Sequence, residues 1–337
     1  MDITIKELEK SYSDFKLGSF DFSIKEGEYF VLLGPSGSGK TKTIEFIAGL
    51  DKPDSGKIIG MEGKMSGFIY QEYMLFPHMN VYENISYGLR MKGESKSVID
   101  EKVNSISEEL GVQHLLKRGV KGLSGGEKQR VAIARAMIIS PDVYIFDEPT
   151  SSLDRNLRSR AQNLFRLLHR RTGKTFIHVT HDFEEALSLG ERIGVIFNGK
   201  IVQIGSPDEL YGNPASGMVA DFIGYRNVYV GRIKDHLFSH NGIDVVVPLK
   251  ESEKAYIAIR PDDVILSGTE FRSSARNSFK GVVKSVIRKV SSAEVVLDIG
   301  IMISVEITRR SLLDLNVCEG KKFCVTFKVS SVKVFER

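Results

Sequence analysis

Short apolar runs separated by helix-length stretches characterise the first two thirds of the chain. Three runs read as buried strands: Tyr29–Leu33, Val143–Phe146 and Thr175–Thr180. A helical apolar stripe follows the second of them, at Leu157, Ala161, Leu164 and Leu168. Strands that alternate with helices in this way predict an α/β domain built on a mixed sheet.

The pattern changes after residue 225, where short alternating strands are separated by Gly and Asn. It predicts a small all-β barrel or sandwich over 226–337, after an α/β domain over 1–225. The tail also repeats itself: Asn227–Ile233 is similar to Asn277–Val283, and Ile259–Val264 is similar to Phe327–Val332. Two similar β units are one interpretation, and coincidental strand alternation is the other.

A glycine-rich segment lies between the strand at Tyr29–Leu33 and a predicted helix at Thr41–Ala48. It matches the phosphate-loop pattern G-x-x-x-x-G-K-[ST] through Gly34, Pro35, Ser36, Gly37, Ser38, Gly39, Lys40 and Thr41. Glycines let successive backbone N–H groups turn toward one anion, and the helix N-terminus adds partial positive charge. The loop by itself predicts only that a nucleoside triphosphate is bound, with Lys40 reaching its β- and γ-phosphates and Thr41 binding Mg²⁺.

A second glycine-rich turn, Leu123–Glu127, begins a helix that runs to about Ile139. Its residues Ser124, Gly125, Gly126 and Glu127 form the S-x-x-E pattern of a capping box. Taken alone, this segment is typical of a capped core helix.

Polar side chains end two of the predicted buried strands. Asp147 and Glu148 follow one apolar run, and His181 follows the next. Because ligands bind at the carboxyl ends of strands in open α/β sheets, these residues are candidates for chemistry. Asp147 suits the Mg²⁺ shell and Glu148 suits polarising an attacking water. A solvated strand end is the alternative for a lone acid.

Six segments together resemble the ATPases of ABC transporters. They are, in family order, Gly34–Thr41 (Walker A), Gln71 (Q-loop), Leu123–Glu127 (signature), Val143–Glu148 (Walker B), Ser152–Asp154 (D-loop) and His181 (switch histidine). The resemblance implies a helical subdomain at about 72–122. It also implies a head-to-tail homodimer that holds each ATP between the Walker A loop of one subunit and the signature of the other.

The same resemblance implies roles for individual residues. Glu148 would act as the base, with Lys40 on the phosphates and His181 on the γ-phosphate. Gln71 would bind Mg²⁺ and couple the site to transport, and Asp154 would belong to the D-loop beside the nucleotide. Tyr12 would stack on adenine, although a tyrosine at a strand edge is an equally simple interpretation.

Ser274–Asn277 precedes Gly281 and Val283 in the second β unit, and Ile307–Ser311 and Phe327–Val332 follow. In this order the segments resemble the molybdate-binding Mop-type domain. The resemblance implies an oxyanion site, shared between subunits, with ligands from Ser274, Arg276, Asn277, Lys328 and Ser330. Hydroxyls, an arginine and a lysine suit a tetrahedral dianion. The first unit carries Arg260–Asp263 at the equivalent place, and its two acids would repel a dianion. A structural barrel with surface Arg and Lys is the alternative.

Composition narrows the class of protein. A net charge of +4 spread over 337 residues does not favour nucleic-acid binding. The N-terminus lacks a signal-peptide pattern, and no apolar run reaches the roughly 18 residues of a membrane helix. Cys318 and Cys324 flank a predicted turn and could approach each other, but free thiols are the usual state in an ATPase of this class.

These observations predict the ATPase subunit of a molybdate or tungstate importer, with the oxyanion as a regulatory ligand of the tail. A permease dimer from another chain would hold it at the cytoplasmic face of the membrane, with a substrate-binding protein on the outer side. Two alternatives stay open. One is an importer ATPase for another solute, such as sugar, sulfate, iron or polyamine, with a structural tail. The other is a soluble ABC ATPase of DNA repair or translation.

Overall fold

The computed structural model describes residues 1–336 as two compact units. The first comprises Met1–Leu210, and the second begins at Tyr211. The functional division at residue 225 stays a prediction. No helix within the described range is long and apolar enough to cross a membrane.

The first unit contains two sheets. Its strands are β1 (Ile3–Ser11), β2 (Lys16–Ile24), β3 (Tyr29–Leu33), β4 (Ser55–Ile59), β5 (Ser66–Ile69), β6 (Val143–Asp147), β7 (Thr175–Thr180), β8 (Arg192–Phe197) and β9 (Lys200–Gly205). An antiparallel sheet has the order β2-β1-β4, and a larger one has the order β5-β6-β7-β3-β8-β9. In the larger sheet β9 pairs antiparallel with β8, whereas the other five strands are parallel. The predicted mixed-sheet α/β fold is confirmed.

The helices of this unit connect the parallel strands. They are α1 (Lys40–Ile47), α2 (Val81–Met91), α3 (Lys96–Glu109), α4 (Gly125–Met137), α5 (Arg155–Thr172) and α6 (Phe183–Leu189), with α7 (Pro207–Gly212) at the unit boundary. Helices α2 and α3 lie between β5 and β6 in the chain, and both contact α4. The segment between β5 and β6 therefore forms a helical layer that reaches the signature helix.

The central strands are buried along their whole length. Every residue of β3, β6 and β7 is buried. Phe30 and Ile145 belong to the core that also takes in α1 and the antiparallel sheet. Phe165 of α5 contacts Phe146 with 4.8 Å between ring centroids. Coverage of both faces explains why these strands are continuous apolar runs rather than alternating ones.

The second unit is mostly β structure. Its strands are β10 (Asn227–Lys234), β11 (Leu237–His240), β12 (Ile243–Val246), β13 (Ser252–Ile259), β14 (Ile265–Ser267), β15 (Asn277–Arg288), β16 (Ser292–Asp298), β17 (Met302–Thr308), β18 (Lys322–Phe327) and β19 (Val332–Glu336). Two five-stranded sheets have the orders β12-β11-β10-β13-β19 and β14-β18-β15-β16-β17. Short helices α8 (Gly217–Phe222) and α9 (Arg309–Asp314) complete it. The predicted all-β domain is confirmed.

The two sheets share one core and follow the same plan. Strand β10 pairs with β13 and β15 pairs with β18, and a one-turn 3-10 helix follows each pair, at Pro261–Asp263 and Val329–Ser331. The strand after each 3-10 helix joins the other sheet: β14 pairs with β18, and β19 pairs with β13. Each half of the unit, β10–β14 and β15–β19, therefore gives its last strand to the sheet of the other half. This exchange ties the halves together around buried residues such as Ile257 and Val295.

Candidate functional site

The glycine loop occupies the turn between β3 and α1. Gly37 and Gly39 have φ angles of +77° and +102°, which side chains rarely adopt. A Cβ atom at Gly39 would also lie 2.5 Å from Leu17 Cδ1. The Ser38 Oγ atom is buried and has no hydrogen-bond partner within residues 1–336. A buried hydroxyl without a partner beside a glycine turn fits a loop that receives an oxygen-rich ligand.

Lys40 is folded back onto this loop. Its Nζ atom donates hydrogen bonds to the carbonyl oxygens of Gly34 at 2.8 Å and Pro35 at 2.9 Å. The side chain is buried, and Nζ lies 3.7 Å from Glu148 Oε1. Burial lowers the pKa of Lys40, and the carboxylates of Glu148 and Asp147 partly oppose that effect. A negatively charged ligand in the loop would favour the protonated form.

Thr41 and Asp147 form a pair of oxygen donors at the start of α1 and the end of β6. The Thr41 hydroxyl donates to Asp147 Oδ1 at 3.0 Å. Burial raises the pKa of the Asp147 carboxyl, which the hydrogen bond from Thr41 partly offsets. Hydroxyl and carboxylate oxygens are ligands that Mg²⁺ accepts, so this pair could hold the ion. Gln71 is exposed just beyond β5, which pairs with β6.

Glu148 and His181 face each other across two neighbouring strand ends. His181 Nδ1 lies 2.9 Å from Glu148 Oε2. Glu148 has a φ angle of +44°, and its backbone N–H donates to Val179 O at 3.0 Å. Positive φ at a non-glycine residue is uncommon and clusters at functional sites, because the surrounding structure must hold it. The arrangement provides a carboxylate able to accept a proton and an imidazole beside it.

Sheet register explains why these residues meet. Strand β6 pairs in parallel with β7, which pairs in parallel with β3, and Leu33 lies opposite Thr180. The carboxyl ends of these strands therefore lie along one edge of the sheet. Five predicted site residues come together at this edge: Lys40, Thr41, Asp147, Glu148 and His181.

The signature turn is presented at the surface. Ser124 caps α4, and the structure contains both bonds of the predicted capping box with Glu127. Ser124 and Gly125 are exposed. A Cβ atom at Gly126 would lie 3.4 Å from Leu157 Cδ2, at the start of α5. The Asp154 carboxylate caps α5 by accepting from the N–H groups of Asn156 and Leu157. The signature and D-loop segments are thus neighbours within one chain.

Tyr12 lies near the glycine loop's helix. Its ring is 6.2 Å from that of Phe15, and Lys42 Nζ is 6.0 Å from its centroid. The ring is half-buried, and burial raises the pKa of its hydroxyl. Stacking on adenine stays a prediction for this residue.

A cavity of about 640 Å³ in the second unit contains four of the five predicted oxyanion ligands: Ser274, Arg276, Lys328 and Ser330. Asp235 and His236, in the turn between β10 and β11, also line it. Both have positive φ angles, of 50° and 65°. The sequence analysis missed these two residues, since they belong to the first β unit and lie in an ordinary-looking charged turn.

The fifth predicted ligand, Asn277, has a different use. Its side chain is buried, donates to Val246 O at 3.0 Å and accepts from Val246 N–H at 2.7 Å. Asn227 makes the equivalent pair of bonds with Ser304 in the other half. Asn277 therefore ties the two sheets together, and we do not retain it as an oxyanion ligand.

Two family models match separate parts of the chain. A family model described as ABC transporter matches residues 17–151, and one described as TOBE domain matches residues 273–334. The solved structure of cbiO1 from Clostridium perfringens, part of the ABC transporter complex cbiONQ, is 29% identical. Its TM-score is 0.57, and the match covers 63% of this chain and 90% of that one.

Two curated relatives are similar over nearly the whole chain. Both are named molybdate/tungstate import ATP-binding protein WtpC. The protein from Pyrococcus abyssi is 42% identical over 99% of this chain and all of its own length. The protein from Pyrococcus horikoshii is 38% identical over 99% of both. The chain belongs to the ABC transporter family of ATP-binding proteins.

Proposed function

We propose that this chain is the ATP-hydrolysing subunit of an importer for molybdate or tungstate. The hydrolytic part is carried by the Glu148–His181 contact of 2.9 Å beside the glycine loop. The choice of solute is supported by the names of the relatives, together with a cavity that contains Arg276 and Lys328.

In this proposal Glu148 is the general base. Its carboxylate accepts a proton from water while the water oxygen bonds to the γ-phosphorus, the bond to the β–γ bridging oxygen breaks, and ADP and phosphate leave. Lys40 and the loop N–H groups hold the phosphates, and His181 contacts the γ-phosphate. Thr41, Asp147 and Gln71 would hold Mg²⁺, which neutralises phosphate charge when bound.

Replacement of the base tests this assignment. Glu148→Gln keeps the shape of the side chain but removes its ability to accept the proton, so ATP hydrolysis should fall by at least about 100-fold. Binding of ATP should persist. The exposed Glu184 supplies a matched control, and Glu184→Gln should hydrolyse ATP normally. Full turnover by Glu148→Gln would remove Glu148 from the base role.

The nucleotide site would be completed by a second copy of the chain. Ser124 and Gly125 are exposed at the start of α4 and so are free to approach a partner's ATP. Closure of the dimer on ATP and its reopening after hydrolysis would move a separate permease between two states. The chain would then work at the cytoplasmic face of the membrane through that permease.

The tail would sense the accumulated oxyanion. Arg276 and Lys328 supply two positive charges, and Ser274 and Ser330 supply hydroxyl donors for a tetrahedral dianion. The carboxylate of Asp235 opposes part of that charge. All of these side chains are exposed, which suits a site that a second subunit completes.

Ligand-induced stabilisation of the full chain tests the oxyanion site. Tungstate or molybdate should raise the melting temperature, because a ligand that binds the folded state stabilises it. Arg276→Ala should abolish the rise. Arg272→Ala removes an exposed arginine that does not line the cavity and should keep it. Absence of any rise in the unmodified protein would favour the alternative, an ATPase for another solute with a structural tail.

A further inference from the structure

A chain of buried polar side chains lies directly behind the edge that carries Glu148 and His181. Tyr29, His178 and Glu185 are 1%, 0% and 2% exposed. The Tyr29 hydroxyl lies 3.0 Å from His178 Nδ1. Burial raises the pKa of Tyr29 well above its usual value, so its hydroxyl keeps its hydrogen at neutral pH. His178 Nε2 lies 3.7 Å from Glu185 Oε1, which is close but beyond hydrogen-bond distance.

Both carboxylate oxygens of Glu185 accept short hydrogen bonds. The Thr150 hydroxyl donates to Oε1 at 2.6 Å, and the Thr180 hydroxyl donates to Oε2 at 2.7 Å. Burial by itself raises the pKa of Glu185, but His178 and the two hydroxyls outweigh it and lower the pKa to about 2. Each oxygen of the buried carboxylate therefore has a hydroxyl donor, and the lowered pKa favours its charged form.

The two threonines belong to the segments that carry the proposed hydrolytic residues. Thr150 comes two positions after Glu148, and Thr180 immediately precedes His181. The Thr180 Oγ1 atom also accepts from the Asp182 N–H at 3.0 Å. A single carboxylate thus bonds the chain on both sides of the Glu148–His181 contact.

We propose that Glu185 is a positioning residue for ATP hydrolysis, which sets the placement of Glu148 relative to His181 by binding Thr150 and Thr180. Glu185 touches neither the water nor the phosphate in this role. The Tyr29–His178 pair packs beside this carboxylate, with His178 Nε2 3.7 Å from Glu185 Oε1, and Tyr29 belongs to β3, the strand that leads into the glycine loop. The inference rests on the proposed role of Glu148 as base.

Removal of one hydroxyl at a time tests the proposal. Thr150→Val and Thr180→Val keep the side-chain shape and leave one carboxylate oxygen of Glu185 without its donor. Each should lower kcat for ATP by about tenfold, the size expected for one charge-assisted hydrogen bond. KM for ATP should change by less than about twofold, because Lys40 and the glycine loop, which hold the phosphates, lie outside this hydrogen-bonded group. Thr150→Ser and Thr180→Ser restore a hydroxyl and should recover most of kcat.

Controls distinguish a loss of positioning from a loss of folding stability. They also distinguish failure of this inference from failure of the proposed role of Glu148. Rates are measured well below the melting temperature of each variant, with Glu184→Gln as the exposed neighbour. Glu185→Gln gives a further test if a valine variant does not fold, and it should also lower kcat with KM kept. Unchanged kcat in the valine variants, or a failure of serine to restore it, overturns the inference. Full turnover by Glu148→Gln would instead overturn the base assignment, and the inference with it.

Discussion

Lys40 Nζ lies 3.7 Å from Glu148 Oε1 while it donates to two carbonyl oxygens of its own loop. The lysine that we assign to the phosphates and the carboxylate that we assign to the water are therefore neighbours. Because Lys40 is buried, its charge has few partners other than this carboxylate and the loop carbonyls. A bound γ-phosphate would compete with Glu148 for the ammonium group.

Truncation of this lysine should weaken nucleotide binding. Lys40→Ala removes a charge-assisted contact to phosphate, and we expect ATP affinity to fall by about ten- to a hundredfold. Glu148→Gln removes the competing carboxylate and should bind ATP at least as tightly as the unmodified chain. Titration with a fluorescent ATP analogue measures both. Equal affinity of Lys40→Ala and the unmodified protein would contradict the phosphate role of Lys40.

Two inactive variants should restore each other if the nucleotide site is shared between subunits. Lys40→Ala disables one half of each site. Ser124→Asp places a negative charge at the signature while keeping a residue that caps helices well. In a mixed dimer, one of the two sites contains neither substitution. Because about half of the dimers in an equal mixture are mixed, the mixture should recover roughly a quarter of the unmodified ATPase rate. If subunits are shown to exchange and no activity returns, the shared site is wrong.

Each chain should bind one oxyanion. In the first half of the tail, the Arg260 guanidinium is bonded to Asp262 and lies 4.1 Å from the Tyr211 ring centroid. Its charge is therefore already paired, whereas Lys328 occupies the equivalent place in the other half. Isothermal titration with tungstate should give one ion per chain. Two equivalent ions per chain would show that the acids of the first half do not exclude a dianion.

Stability should depend on pH through Glu185. Its pKa is about 2 in the folded chain and 4.5 in the usual case, because His178, Thr150 and Thr180 together outweigh the effect of burial. A lowered folded pKa adds stability that is complete above the unfolded pKa and is lost as pH falls toward the folded one. The difference in unfolding free energy between the unmodified chain and Glu185→Gln should be largest above about pH 5 and shrink toward about pH 3. Urea denaturation measures it, with Glu184→Gln expected to show little pH-dependent difference.

Features carried by neighbouring residues were predictable. The glycine loop and the Ser124–Glu127 capping box depend on residues within one turn of each other, so the sequence pattern contains nearly all of their chemistry. Asp147 and Glu148 were predictable for a related reason. In an α/β chain, an acidic residue that ends a buried apolar strand lies at the edge of the sheet where ligands bind.

Features that depend on distant residues were not predictable. Glu185 looks like an ordinary residue in the first turn of α6, and its bond to Thr150 spans 35 positions. Tyr29 and His178 are 149 positions apart. His236 joins the cavity of Arg276 only because the two β halves fold against each other.

By itself, then, the sequence determined the class of ATP-binding protein, the alternation of strands and helices around the glycine loop, and the change to β structure in the tail. The tertiary structure decided which polar side chains form hydrogen bonds within the protein and which remain accessible to ligands. Asn277 shows the difference, since its motif suggested an oxyanion ligand and its amide is bonded to the backbone of Val246. A buried polar group must find a partner, and only the packed chain determines which partner lies within reach.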